Sequence, residues 1–117
     1  MGIYIYKSKH ADYCKIGHYK GNNAWSRVAH RGFYSCKCPK EIEKKVSIED
    51  LKLKGWFPNL KKEYERKVKN KFREYITCGE WYDSTILLKI CKYLSKYDKN
   101  IFKGCDKEAS VKTLRRL

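Results

Sequence analysis

Alternation of apolar and polar positions near the start of the chain predicts an antiparallel hairpin. Residues 2–7 alternate isoleucine with tyrosine, which places Tyr4 and Tyr6 on the same face of a strand. A short polar turn separates this run from a second strand-like run at 13–18. A third strand is expected at 33–38, where an aromatic run ends at a proline.

Apolar residues spaced three and four positions apart predict three helices, at 24–31, 60–75 and 84–97. Residues 40–57 fit either a strand or a short helix, and the periodicity weakens after residue 97. The predicted fold is α/β in the α+β sense. It has a small three-stranded antiparallel sheet flanked by helices, with an extra helix toward the C-terminus.

Length and charge narrow the function classes. A chain of 117 residues is the usual size of one domain. Its formal net charge of +15 favours a polyanionic partner, and we place DNA first. An anionic membrane surface or an acidic protein would fit the same charge. Lysine outnumbers arginine 22 to 6, which favours general attraction to phosphate over bidentate reading of bases.

The chain has no run of about 18 apolar residues that would predict a transmembrane helix. It starts directly with a strand pattern and lacks the apolar core of a signal peptide. We therefore expect an intracellular protein, in cytoplasm or nucleus, or one packaged in a virion, rather than one secreted by a signal peptide.

Six cysteines are present, and reduced thiols are expected without a secretory signal. Cys36 and Cys38 would share one face of a strand, an arrangement that suits metal or redox chemistry. The paired Cys-x2-Cys spacing typical of structural zinc is absent. Buried thiols are therefore the favoured interpretation, and a disulfide in an oxidising particle is the alternative.

Four residues in the predicted elements bring the groups that phosphodiester cleavage needs. Tyr4 and Lys15 lie in the two hairpin strands, Arg27 in the first helix and Glu65 in the second. Together they offer a hydroxyl, an amine, a guanidinium that holds phosphate and a carboxylate that binds metal. Taken singly, each also fits an ordinary structural or surface position.

Five features follow one another along residues 2–83: Gly2-Ile3-Tyr4, Lys15-Ile16-Gly17, Arg27, Glu65 and Gly79-Glu80-Trp81-Tyr82. This ordered set resembles the GIY-YIG nuclease superfamily, and in particular its phage and viral branch, where the second motif often reads Lys-Ile-Gly. The resemblance implies a nuclease-like domain at 1–83, and a C-terminal helical extension at 84–117 packs on the same domain.

The resemblance also implies cleavage of DNA phosphodiesters with one divalent cation per site, Mg²⁺ or Mn²⁺. Tyr4 stands at the tyrosine of the first motif, and Lys15 stands where the second motif usually has tyrosine. Arg27 matches the helix arginine, and Glu65 matches the metal-binding glutamate. Lys15 is a departure from the common pattern. A neutral lysine at this position would serve as a base, and a charged one would hold the phosphate.

Basic and aromatic side chains near these positions are expected to contact the nucleic acid: Tyr6, His18, His30, Arg31 and Lys69. Two other functions stay open. The first is a nuclease-fold protein that no longer cuts and acts as a basic nucleic-acid-binding or virion-packing module. The second is a capsid-associated protein whose partners are viral structural proteins.

Overall fold

A five-stranded antiparallel sheet organises the part of the chain that the computed structural model describes, residues 1–29, 37–105 and 107. Its strands are β1 (Gly2–Ser8), β2 (Tyr13–Tyr19), β3 (Leu51–Phe57), β4 (Ile76–Cys78) and β5 (Trp81–Asp83). Their spatial order is β3–β1–β2–β5–β4. Two α-helices, α1 (Glu63–Lys71) and α2 (Leu87–Leu94), complete an α+β fold in these residues.

The prediction of a three-stranded sheet is wrong, because five strands pair in the described residues. β1 and β2 confirm the predicted hairpin. β3 pairs with the other edge of β1, and β4 and β5 form a second hairpin. Between β4 and β5 stands Gly79, whose φ of 58° is a conformation that glycine adopts without steric cost. The predicted strand at 33–38 falls mostly outside the described residues.

An irregular register explains why β3 is hard to predict from alternation. Ile5 of β1 faces Gly55, but Tyr6 faces Leu53, so the pairing slips by one residue between them. Leu53 and Trp56 are three positions apart and still belong to the same core cluster. A bulge of this kind breaks the period of two along a strand. β4 and β5, at three residues each, are too short to show a period.

The predicted helices are present in shorter form. The first is a 3-10 helix at Ala24–Ala29, and the rest of its predicted range lies outside the described residues. The second is α1, followed by a 3-10 turn at Arg73–Tyr75. The third starts as a 3-10 turn at Ser84–Ile86 and continues as α2.

Both faces of the sheet are covered. On the helix face, α1 and α2 pack over apolar strand residues, in a cluster that includes Ile3, Ile5, Cys14, Ile16, Val68, Phe72, Ile90 and Leu94. On the opposite tyrosine face, the Ala24–Ala29 helix and the segment before β3 contribute to a cluster that includes Tyr4, Tyr6, Trp25, Val28, Ile42, Ile48, Trp56 and Trp81. The alternation along β1 therefore directs its tyrosines toward the short helix that carries Arg27.

Residues that follow α2 cover the outer edge of β3. The side chain of Asn100 accepts a hydrogen bond from the Trp56 backbone at 2.9 Å and donates one to the Lys54 carbonyl at 3.2 Å. The backbone N–H of Ile101 donates to the Trp56 carbonyl at 2.9 Å. These bonds satisfy backbone groups that an edge strand leaves unpaired. Residues 84–101 thus pack on the same sheet as the residues before them.

Replacing Gly17 with alanine should destabilise this fold. A Cβ at Gly17 would lie 2.3 Å from the hydroxyl oxygen of Tyr4, its partner across the hairpin. The Tyr4 ring is buried and has no room to move away. We expect the free energy of unfolding in urea to fall by about 2 kcal/mol, a usual cost of overpacking a core.

Gly104→Ala is the matched control, because a Cβ there would meet no atom within 4 Å. This variant should unfold at the same urea concentration as the wild type. Equal stability of the Gly17 and Gly104 variants would contradict the close contact between Gly17 and Tyr4.

Candidate functional site

Tyr4 and Arg27 form the first contact of the site. Tyr4 points to the tyrosine face from β1, and Gly17 opposite leaves space for its ring. Arg27 comes from the adjacent 3-10 helix, and its guanidinium donates a hydrogen bond to the Tyr4 hydroxyl. Burial raises the pKa of Tyr4 above its usual range, the charge of Glu80 raises it further, and Arg27 opposes both. The Tyr4 hydroxyl therefore keeps its proton at neutral pH.

Lys15 and Glu80 form a buried ion pair. The Lys15 ammonium lies 2.5 Å from Oε2 of Glu80, which stands in the turn before β5. Lys15 has no exposed side-chain surface, whereas the Glu80 side chain is 33% exposed. A buried ammonium needs a carboxylate partner, because an unpaired charge in the interior is very costly. Burial alone would raise the pKa of Glu80, but the charge and hydrogen bond of Lys15, together with Glu65 and the charge of Arg27, outweigh burial and hold that pKa below the usual range.

Glu65 joins this pair through its carboxyl group. It lies in the first turn of α1 and shares a hydrogen bond with Glu80. Burial raises the pKa of Glu65 to about 7, and the negative charge of Glu80 adds to the effect. When Glu65 is protonated, it is the donor in this bond. At neutral pH it is close to the point where it exchanges a proton.

The four residues predicted to be catalytic thus lie together with Glu80, in what we call the five-residue cluster: Tyr4, Lys15, Arg27, Glu65 and Glu80. Besides the contacts above, the Lys15 ammonium lies 6.0 Å from the centre of the Tyr4 ring. The members come from β1, β2, the 3-10 helix, α1 and the turn before β5. Tyr4 and Lys15 are buried, while Arg27, Glu65 and Glu80 are partly exposed.

Glu80 is the member that the sequence reasoning missed as a site residue. It is part of the Gly79-Glu80-Trp81-Tyr82 feature, but no spacing rule singles it out. Its link to Lys15 depends on the pairing of β2 with β5, which sets Lys15 opposite Trp81. An acidic residue beside a glycine, just before an aromatic strand, is the signal that was available.

The residues predicted to contact nucleic acid have different positions. Tyr6 is fully buried, and its hydroxyl donates to the Ala24 carbonyl, which leaves no surface for a ligand. His18 lines a cleft next to Arg27, and Lys69 lines a recess that also contains Glu65. His30 and Arg31 lie outside the described residues.

Two concave surfaces flank the five-residue cluster. The larger, of about 650 Å³, we call the Arg27 cleft; its lining is Met1, His18, Tyr19, Lys20, Arg27, Lys61 and Lys62. The smaller, of about 290 Å³, we call the Glu65 recess; its lining is Lys62, Glu63, Glu65, Arg66 and Lys69. Lys62 lines both, so the two surfaces adjoin.

Metal ligands are few in the described part of the chain. No group of three or more histidine, cysteine, aspartate or glutamate side chains there is arranged to hold a metal ion. Mg²⁺ needs only one or two carboxylates when phosphate oxygens and waters complete its shell. Glu65 and Glu80 meet that lower requirement. Burial is the main cause of the raised pKa of Glu65, and the negative charge of Glu80, which a cation would offset, adds to it. The cysteines described, Cys14, Cys38, Cys78, Cys91 and Cys105, are free thiols.

Comparisons of the chain with protein-family models, with curated proteins and with solved structures find no match. Among the helices of the described residues, none is long and apolar enough to span a bilayer.

The ion pair predicts an asymmetry between two substitutions. Glu80→Gln leaves the buried Lys15 ammonium without its carboxylate, so it should lower the free energy of unfolding by about 2 kcal/mol or more. Lys15→Met removes the buried charge and leaves a carboxylate that water reaches, so it should cost less than about 1.5 kcal/mol. Urea unfolding at pH 8 measures both values. A larger loss in Lys15→Met than in Glu80→Gln would show that the pair is not held as described.

Proposed function

We propose that this chain is a small DNA endonuclease that hydrolyses phosphodiester bonds with one divalent cation, Mg²⁺ or Mn²⁺. The observation that carries the proposal is that two sets of contacts lie side by side. In one, Arg27 donates to Tyr4; in the other, Glu80 contacts both Lys15 and Glu65. A guanidinium for phosphate and a carboxylate for metal are the minimum for this chemistry. The net charge of +15 supports DNA as the partner.

Arg27 is the group that would hold the phosphate. Its side chain is partly exposed and lines the Arg27 cleft, so a ligand can reach it. Tyr4 fixes the guanidinium by accepting its hydrogen bond. A preorganised guanidinium stabilises the charge that develops on phosphate oxygens in the transition state, where it is worth more than in water.

Glu65, with Glu80 as the second carboxylate, would hold the cation. A bound Mg²⁺ or Mn²⁺ would polarise a phosphate oxygen and lower the pKa of a coordinated water. Tyr4 keeps its proton, so its role is to position Arg27. Lys15 is held by Glu80 and positions that carboxylate.

Nicking of a supercoiled plasmid tests the proposal. Glu65→Ala and Arg27→Ala should each lower the rate of nicking in Mg²⁺ or Mn²⁺ by about 10²-fold or more, as loss of a transition-state contact does. Both side chains are partly exposed, so the variants should stay folded by circular dichroism.

Glu74→Ala and Arg73→Ala are the matched controls, because both residues are exposed and lie in the turn after α1. They should nick at the wild-type rate. Nicking that persists in Glu65→Ala and Arg27→Ala, or that does not depend on a divalent cation, would refute the assignment.

The rate of nicking should rise with pH as Glu65 loses its proton. The midpoint should lie below the pKa of about 7 of the metal-free carboxyl, because a bound cation favours the charged form. Below the midpoint, Glu65 holds a proton and does not bind a cation. Glu80→Gln should move the midpoint to lower pH, because the charge of Glu80 helps to raise the pKa of Glu65, and should also slow nicking because it removes the second carboxylate. Glu80→Asp keeps the charge and should keep the midpoint. A midpoint that is the same in all three proteins would exclude Glu65 as the titrating group.

The burial of Tyr4 and Lys15 favours a second candidate, a nuclease-fold protein that binds nucleic acid or packs into a virion beside structural proteins without cutting. Neither residue has surface for a phosphate to touch. This candidate predicts no metal-dependent products, together with DNA binding that falls steeply as salt rises. A gel shift across a salt series, run beside the nicking assay, separates the two candidates.

A further inference from the structure

The Arg27 cleft is positively charged on several sides. Lys20 follows the end of β2, and Lys61 and Lys62 precede α1. All three are exposed, and Arg27 is partly exposed. The described residues that line the cleft include no carboxylate, in contrast to the Glu65 recess. Within the described lining, no carboxylate opposes the charges of Lys20 and Lys61.

Lys62 and Arg27 connect this cleft to the five-residue cluster. Arg27 both lines the cleft and donates to Tyr4. Lys62 lines the cleft and also the recess that contains Glu65. A chain of phosphates lying in the cleft would therefore continue past Arg27 toward Glu65.

We propose that the Arg27 cleft binds the sugar-phosphate backbone of the DNA strand next to the scissile phosphate, with Arg27 shared between the cleft and the reaction centre. This inference rests on the proposed function, because it takes DNA as the substrate. Lysine ammonium groups act as point charges toward phosphate and carry no sequence readout. The cleft volume of about 650 Å³ is within the usual range for a bound small molecule. A site of this size has room for a few nucleotides of one DNA strand.

His18 reports on the electrostatics of this cleft. Burial lowers the pKa of His18, and the positive charges of the amino terminus, Lys62 and Lys20 lower it further. Its Nε2 is buried and has no hydrogen-bond partner among the described residues. A phosphate that offsets the neighbouring positive charges would raise the pKa of the ring, so His18 serves as a probe that does not depend on cutting.

Fluorescence anisotropy with a labelled 12-nucleotide single-stranded DNA, in EDTA so that no cutting occurs, tests the cleft. Lys20→Gln/Lys61→Gln should weaken binding by about 20-fold at 0.1 M salt, and should lower the salt slope by about 1.4, as expected for two lost phosphate contacts. The matched control is Lys89→Gln/Lys96→Gln, which removes the same charge from exposed sites in and after α2. It should change affinity less than threefold.

Titration of the wild-type histidine resonances by NMR supplies a second readout. Saturating oligonucleotide should raise the pKa of His18, and the resonances of the exposed His10, which contacts Asp50, should move little when the oligonucleotide is added. The proposal would be overturned if both double variants bound the oligonucleotide equally weakly, if the wild type did not bind it, or if the pKa of His18 did not change.

Failure of this inference can be distinguished from failure of the proposed function. If the oligonucleotide occupies the cleft but no protein nicks DNA, the proposed binding site stands and the proposed endonuclease activity is excluded. If nicking requires Glu65 and Arg27 but the cleft variant binds like the wild type, the endonuclease is retained and the cleft is excluded.

Discussion

The buried ammonium of Lys15 is the constraint on which the site depends. With no exposed surface, it requires a carboxylate, and Glu80 supplies one at 2.5 Å. The pairing of β2 with β5 fixes that contact, since Lys15 and Trp81 lie opposite each other. Glu80 is then held where it meets Glu65 of α1, whose pKa rises to about 7. The Lys15–Glu80 ion pair thus holds a negative charge next to Glu65, and that charge adds to the effect of burial on the pKa of Glu65.

The packing on the two faces of the sheet determines where the side chains of the five-residue cluster lie. Alternation along β1 sends its isoleucines to α1 and α2 and its tyrosines to the short helix that carries Arg27. Gly17 leaves room for Tyr4, and Tyr4 accepts the hydrogen bond that orients Arg27. The partly exposed groups, Arg27 and Glu65, each line a concave surface, and the two surfaces share Lys62. The buried members of the cluster therefore orient the partly exposed ones, of which Arg27 and Glu65 line the two concave surfaces.

Local patterns were enough to predict the β1–β2 hairpin and the approximate positions of the helices. The alternation of residues along each hairpin strand, and the spacing of three and four along each helix, recur often enough to be recognised. The pattern at 40–57 does not distinguish a strand from a short helix, since the bulge opposite Ile5 and Tyr6 breaks the period of β3. The four predicted catalytic residues came from motif order, and the structure brings them together. Glu80 was missed because its partner Lys15 is 65 positions away and only strand pairing joins them.

Paramagnetic broadening by Mn²⁺ is the most direct test that the Glu65–Glu80 pair is a cation site beside Arg27. Substoichiometric Mn²⁺ at pH 8 should first broaden the amide resonances of Arg27, Glu65 and Glu80. Glu65→Ala should abolish the effect, and Glu74→Ala should leave it intact. Broadening centred elsewhere, or the same pattern in Glu65→Ala, would contradict the site on which the proposed function is built.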